Sequence, residues 1–180
     1  MKEDIKKEIE LIEGVEASLD GAVLKISGPK GEVVRNLIHP KIQLSIDGNK
    51  VVLEVKKGTK REKTMIGSFE SHVKNMVSGV QEPHFYKLKI CSGHFPMNVS
   101  MSGQELTIKN FLGESVPRKV TLPQGVQVKV NGTDIEVTSP DKELAGQAAA
   151  KIESLCRITG RDKRIFQDGC YLVHKAGRDL

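Results

Sequence analysis

The sequence predicts an α+β fold of two duplicated small domains, each an antiparallel sheet covered on one side by a helix. Three observations carry this. Most of the chain runs in short stretches of period-2 apolar alternation, separated by Asp-Gly, Asn-Gly or Ser-Gly turns. Only two stretches keep helical spacing, one in each half. The third is a repeat: "GVEASLDGAVLKISGPKGE" from Gly14 aligns without gaps on "GVQVKVNGTDIEVTSPDKE" from Gly125. Gly21 then falls on Gly132, Pro29 on Pro140 and Glu32 on Glu143. Shared Gly and Pro at one offset favour duplication over two hairpins that converged on one pattern. Strands followed by a covering helix, twice over, give the α+β class.

The elements follow in order. Asp20-Gly21 turns the first hairpin. "EVVRNLI", "KIQLSID" and "KVVLEVK" are further strands, the last two joined at Asp47-Gly48-Asn49. A helix comes next. Thr59 and Glu62 make a capping box, Met65, Ile66, Phe69, Val73, Met76 and Val77 keep the spacing, and Gly79 closes it. The domain boundary falls here, giving domains of residues 1–80 and 81–180. The second half starts with "YKLKICS", then "MNVSMSGQELTIKNF" as a hairpin about Ser102-Gly103, then "RKVTLP" and the repeated hairpin. Ser139 and Pro140 start a second helix as cap and first residue. Leu144, Ala148, Ile152 and Leu155 form its buried face, Gly160 ends it, and "IFQDGCYLV" makes a short strand.

Composition sets the function class. Hydrophobic residues at 38% with 28% charged belong to a soluble globular chain of 180 residues. No apolar run is long enough for a membrane span, and the acidic, apolar-poor start is no signal peptide, so a cytoplasmic protein is expected. Residues 1–20 carry net −4, which leaves +9 for the remainder of a chain whose total is +5. An acidic start on a basic body points to an anionic partner met by specific patches. Cys91, Cys156 and Cys170 are scattered and odd in number, which fits reduced thiols better than a disulfide framework. Cys91 and His94 stand three apart, with His84 nearby, but a fourth ligand at zinc-site spacing is missing, so no metal is expected.

Two basic segments are candidate binding sites. Lys56, Lys57, Lys60, Arg61 and Lys63 crowd the start of the first helix. Bases there oppose the helix dipole unless an anion sits nearby. In the second half, "RITGRDKR" packs Arg157, Arg161, Lys163 and Arg164 around one glycine. Arg157 falls in the last helical turn, where the dipole favours it. Arg161, Lys163 and Arg164 lie beyond Gly160 and project from a loop between a packed helix and a packed strand. Such a loop suits contact with a nucleic-acid backbone.

Other motifs are weak. "GPKG" at Gly28 to Gly31 matches the G-x-x-G loop of KH domains, but both flanks alternate as strands, so it is a tight turn. No Walker loop, nucleophile elbow or HExxH is present, and acids such as Asp168 in "FQDG" stand in turn contexts. Two Tyr, five Phe and no Trp argue against a stacking platform for single strands. An enzyme would need a cluster of acid and base groups that this sequence does not display.

Seven stretches together carry a family resemblance: "ISGPKGE", "GTKREKTMIGSFESHVKNMVSGV", "HFPMNV", "KNFLGE", "NGTDIEVTS", "GQAAAKI" and "RDKRIFQDGCY". Over nearly its whole length the chain resembles the universal L-six family of large-subunit ribosomal proteins, in its archaeal or eukaryotic form. The resemblance implies a duplicated α+β fold that binds large-subunit ribosomal RNA near the sarcin-ricin loop and the stalk base. It further implies no catalysis, no cofactor, neighbouring ribosomal proteins at the stalk base, proximity to translational GTPase factors, and a cytoplasmic place in the large subunit. Family RNA contacts concentrate in the second domain. They carry over to Arg157, Arg161, Lys163 and Arg164, with Gln147 and Lys151 on the preceding helix beside them. A free-standing regulatory RNA-binding protein is the alternative.

Overall fold

The computed structural model describes residues 3–180, which divide between Pro83 and His84 into two compact units with separate hydrophobic cores. The first unit runs β1 (Glu3–Glu10), β2 (Glu16–Asp20), β3 (Val23–Gly28), β4 (Gly31–Asn36), β5 (Gln43–Asp47), β6 (Lys50–Gly58) and α1 (Lys60–Gln81). The second runs β7 (His84–Cys91), β8 (Asn98–Ser102), β9 (Glu105–Lys109), β10 (Arg118–Thr121), β11 (Gln127–Asn131), β12 (Asp134–Ser139), α2 (Lys142–Leu155), β13 (Gly169–Lys175) and β14 (Arg178–Asp179), with a short 3-10 turn at Phe111–Gly113. Every strand pairing is antiparallel.

Each unit holds two sheets rather than one. The first has β1-β6-β5 and β2-β3-β4; the second has β10-β9-β8 and the five-stranded β11-β12-β7-β13-β14. One helix packs against both sheets of its unit, α1 on β1, β3, β4 and β6, and α2 on β7, β10, β12 and β13. Strand, three-stranded meander, hairpin and helix therefore occur in the same order twice. The α+β class and the duplication both stand.

The residue register of the duplication differs from the gapless sequence alignment. That alignment set β2–β3 on β11–β12, but by topology β2–β3 corresponds to β8–β9, and β5–β6 to β11–β12. The correct match puts Leu24 on Leu106, Ile26 on Ile108, Val51 on Ile135 and Leu53 on Val137, and all eight side chains are 0% exposed. Two hairpins in non-equivalent places had converged because both make the same turn. Gly21 and Gly132 sit at φ of 62° and 61°, a left-handed conformation that glycine adopts without steric cost.

Strand β1 was not anticipated. Its inward positions carry Ile5, Lys7 and Ile9, so a lysine interrupts the apolar alternation; Lys7 reaches Glu70 of α1 at 3.3 Å. Acids of the start are paired locally, Glu8 with Lys6 on the same strand at 2.7 Å and Glu10 with Lys50 across the β1–β6 pair at 3.0 Å. "GPKG" is the tight turn between β3 and β4. A Cβ on Gly28 would lie 2.8 Å from a Val80 methyl, so the end of α1 needs glycine there.

Both helix ends differ from expectation. Gly79 is buried inside α1, which continues because Val80 is fully buried and the Glu82 N–H still reaches the Ser78 carbonyl at 2.8 Å. Residue 80 therefore lies within the helix. Met65 stays partly exposed, off the core face. At α2 the cap is Asp141, whose Oδ1 accepts the Glu143 N–H at 2.8 Å. Ser139 belongs to β12 and donates to the Gly125 carbonyl at 2.9 Å. The buried face of α2 centres on Ala145, Ala148, Ala149 and Ile152, with Leu144 and Leu155 half-buried at its margins.

Candidate nucleic-acid interface

Helix α2 ends at Leu155, with Cys156 as its cap, and not at Gly160. Arg157 is thus outside the helix, and the last turn carries no base. All four basic residues of the segment share one loop between α2 and β13. That connection lies beyond the part of the second unit that the first unit duplicates.

The loop is anchored at both ends. Cys156 and Ile158 are buried before its tip, and Asp168, Gly169 and Cys170 after it. Between them Arg161, Asp162, Lys163, Arg164 and Ile165 are all exposed. Asp162 organises the tip as a turn: its Oδ1 accepts the Arg164 N–H at 2.9 Å, and its carbonyl accepts the N–H of Ile165 and Phe166 at 3.1 and 2.9 Å. Its carboxylate also pairs with the Arg164 guanidinium at 2.7 Å, which holds the Asp162 carboxyl below its ordinary range. Arg164 is therefore partly neutralised from within. The Arg161 guanidinium stacks 4.8 Å from the centre of the Phe166 ring. Among the described residues, no ion pair compensates Arg157, Arg161 or Lys163. Gln147 and Lys151 stand one turn apart on the exposed stripe of α2 that leads toward this loop.

A residue that the sequence did not single out holds the start of the loop. Arg118, on β10, donates from Nη1 to the Leu155 carbonyl at 2.7 Å and binds Glu114 through Nε and Nη2 at 2.8 and 2.6 Å. Its guanidinium lies 4.2 Å from the centre of the buried Phe111 ring. It supplies the cationic cap that the end of α2 lacks in its own sequence. Asp168 fastens the other end. It is 1% exposed and accepts bonds from Gly93 N–H at 2.9 Å and from His94 Nδ1 at 3.0 Å. Burial pushes its carboxyl up, but the bonds from His94 and Gly93 outweigh burial and bring it below the ordinary carboxylate range. No local pattern marks these partners, because 37 residues separate Arg118 from Leu155 and 74 separate His94 from Asp168. The free thiols Cys156 and Cys170, distant in sequence, line one cavity of about 220 Å³ behind the loop with Arg157 and Lys163.

The basic residues of the first unit are dispersed around the start of α1. Lys57, Lys60, Arg61 and Lys63 are exposed, and the Lys57 N–H is held by Asp4 Oδ1 at 2.6 Å. The capping box is present, with Glu62 accepting the Thr59 N–H at 2.7 Å. Lys41 reaches the same carboxylate at 3.1 Å. The Thr59 hydroxyl, the Thr59 N–H and Lys41, in that order, bring the Glu62 carboxyl down to about 2. A depressed carboxyl stabilises the fold above its unfolded value of 4.5 and loses that contribution as pH falls toward 2. We expect Glu62→Gln to be less stable than the parent at neutral pH, with the gap closing between about pH 4.5 and pH 2. Denaturation midpoints measured across that window check this, and a gap that is independent of pH contradicts it.

Comparison with known proteins bears on the function. The family model described as ribosomal protein L6 matches residues 13–83 and 95–169, one stretch in each unit. The chain is 46% identical to large ribosomal subunit protein uL6 of Nanoarchaeum equitans, across 98% of this chain and 96% of the relative. It is 44% identical to the uL6 protein of Saccharolobus solfataricus over 95% of both chains. Against that of Haloarcula marismortui the identity is 41%, over 95% of this chain and 96% of the relative.

Proposed function

Because the chain belongs to the ribosomal protein L6 family, we propose that large-subunit ribosomal RNA holds it near the sarcin-ricin loop and the stalk base. It is a constituent of the cytoplasmic large ribosomal subunit and not an enzyme. The loop of residues 157–164 is the main RNA contact in this reading. Arg157, Arg161, Lys163 and Arg164 meet phosphates, and Gln147 and Lys151 extend the contact along α2. Neighbouring ribosomal proteins of the stalk base and the translational GTPase factors are its surroundings.

One observation carries the reading: uncompensated positive charge at a fixed place. Exposed lysines on a mobile tail need no partner, but cations on a loop tied down by Arg118 and Asp168 present a constant pattern. A phosphate backbone supplies the missing counter-charge, and the counterions released on contact drive binding. Co-sedimentation tests the assignment. The cellular protein should travel with large subunits through a sucrose gradient, whereas a free-standing regulatory RNA-binding protein would remain near the top.

Lys57, Lys60, Arg61 and Lys63 form a second proposed contact. Replacing Lys60 and Arg61 with Glu places acids at the positive end of α1, so the free protein should gain a few tenths of a kcal/mol per site. Binding to large-subunit RNA should weaken in the same variant. Raised stability with unchanged binding would make this patch a solvated surface.

A further inference from the structure

Asp168 does more than fasten the loop. With its carboxylate ionised, the proton in the 3.0 Å contact sits on His94 Nδ1, which fixes the orientation of the imidazole. The His94 ring lies 4.8 Å from Phe166 at an interplanar angle of 24°, and Arg161 stacks on the same Phe166. The chain Asp168–His94–Phe166–Arg161 therefore ties one loop cation to the wall of an adjoining cleft. That cleft, of about 640 Å³, is lined by His94, Ile165, Gln167 and Tyr171, together with Cys91 and Asp168.

Its lining is unlike a phosphate site. Tyr171 and His94 contribute rings to it, and Ile165 an aliphatic side chain 65% exposed. Gln167 gives one N–H to the Arg164 carbonyl at 3.3 Å, which leaves its amide oxygen and second N–H for a ligand. Two rings beside a donor–acceptor pair match a nucleobase, and Arg161, stacked on the Phe166 ring that backs His94, supplies a cation for a phosphate that flanks it. The volume is that of a site for one small flat group with its sugar. The scarcity of aromatics rules against a platform for a run of bases, but a single base needs only these rings.

We propose that this cleft seats one unstacked nucleotide of ribosomal RNA, with Arg161 on a neighbouring phosphate. The proposal rests on the RNA-binding reading above and adds a base contact to it. A cleft that instead receives a side chain of a neighbouring protein is the competing outcome.

The test is 2′-hydroxyl acylation of transcribed large-subunit RNA, with and without the full-length protein. Wild type and Tyr171→Phe should protect a set of nucleotides that includes one outside any helix. Tyr171→Leu and Gln167→Leu, at half-exposed and exposed positions, should lose protection at that nucleotide and keep the rest. Affinity in Tyr171→Leu should fall about tenfold, the scale of one stacked base, with the salt dependence unchanged. Identical footprints in all four proteins would overturn the nucleotide site and leave the phosphate contacts standing. No footprint with wild type would overturn the RNA reading and this site with it.

Discussion

Replacing Arg161, Lys163 and Arg164 together with Ala leaves the fold almost unchanged and lowers affinity for large-subunit RNA by more than about tenfold. The structural side of this expectation follows from exposure. The tip residues are exposed, and among the described residues the ion pair lost is Arg164 with Asp162, a surface pair. Such pairs contribute about 0–1 kcal/mol, and exposed substitutions usually stay within about 0.5 kcal/mol. The binding side follows from counterion release. Each lost phosphate contact reduces the slope of log affinity against log salt by roughly 0.7 to 0.9. Arg164 already has a partner in Asp162, so the combined change should be nearer two units than three. Asp162 remains in the variant and opposes phosphate. A variant that folds normally and keeps both affinity and slope would remove this loop from the interface.

Phe111→Ala should have the largest effect on stability. The side chain is 1% exposed in the core of the second unit, and truncating a buried Phe costs about 3–5 kcal/mol. A second consequence reaches the interface. The Phe111 ring supports the Arg118 guanidinium, and Arg118 in turn binds the Leu155 carbonyl at the end of α2. Loss of the ring frees Arg118 to move, so the start of the basic loop should exchange its amide hydrogens faster even where the variant remains folded. Denaturation and hydrogen exchange measure the two effects separately. A loss under about 1 kcal/mol, with loop protection unchanged, would contradict the packing account.

Local chemistry was legible in the sequence and distant pairing was not. The hairpins at Gly21, Gly48, Gly103 and Gly132 could be placed because their turns are set by adjacent residues. The capping box of α1 was visible because Thr59 and Glu62 lie one turn apart. The loop cations were visible because four of them fall within eight residues of chain. Strand β1 was missed because Lys7 occupies an inward position and finds Glu70 on α1. The start of α2 was set two residues early, since Ser139 resembles a cap but ends a strand. The duplication was inferred correctly, from hairpins that are not each other's counterparts. Arg118, His94 and Asp168 drew no binding role because their significance lies in partners brought together by the sheet.

The central claim is that the loop of residues 157–164 lies on RNA in the assembled large subunit. The most direct test places a photoreactive group at its exposed tip, as Lys163→p-benzoylphenylalanine, in the full-length chain incorporated into large ribosomal subunits. Irradiation should join the chain to large-subunit ribosomal RNA, at nucleotides near the sarcin-ricin loop and the stalk base. Attachment solely to a neighbouring protein, in subunits that contain the chain, would contradict the claim.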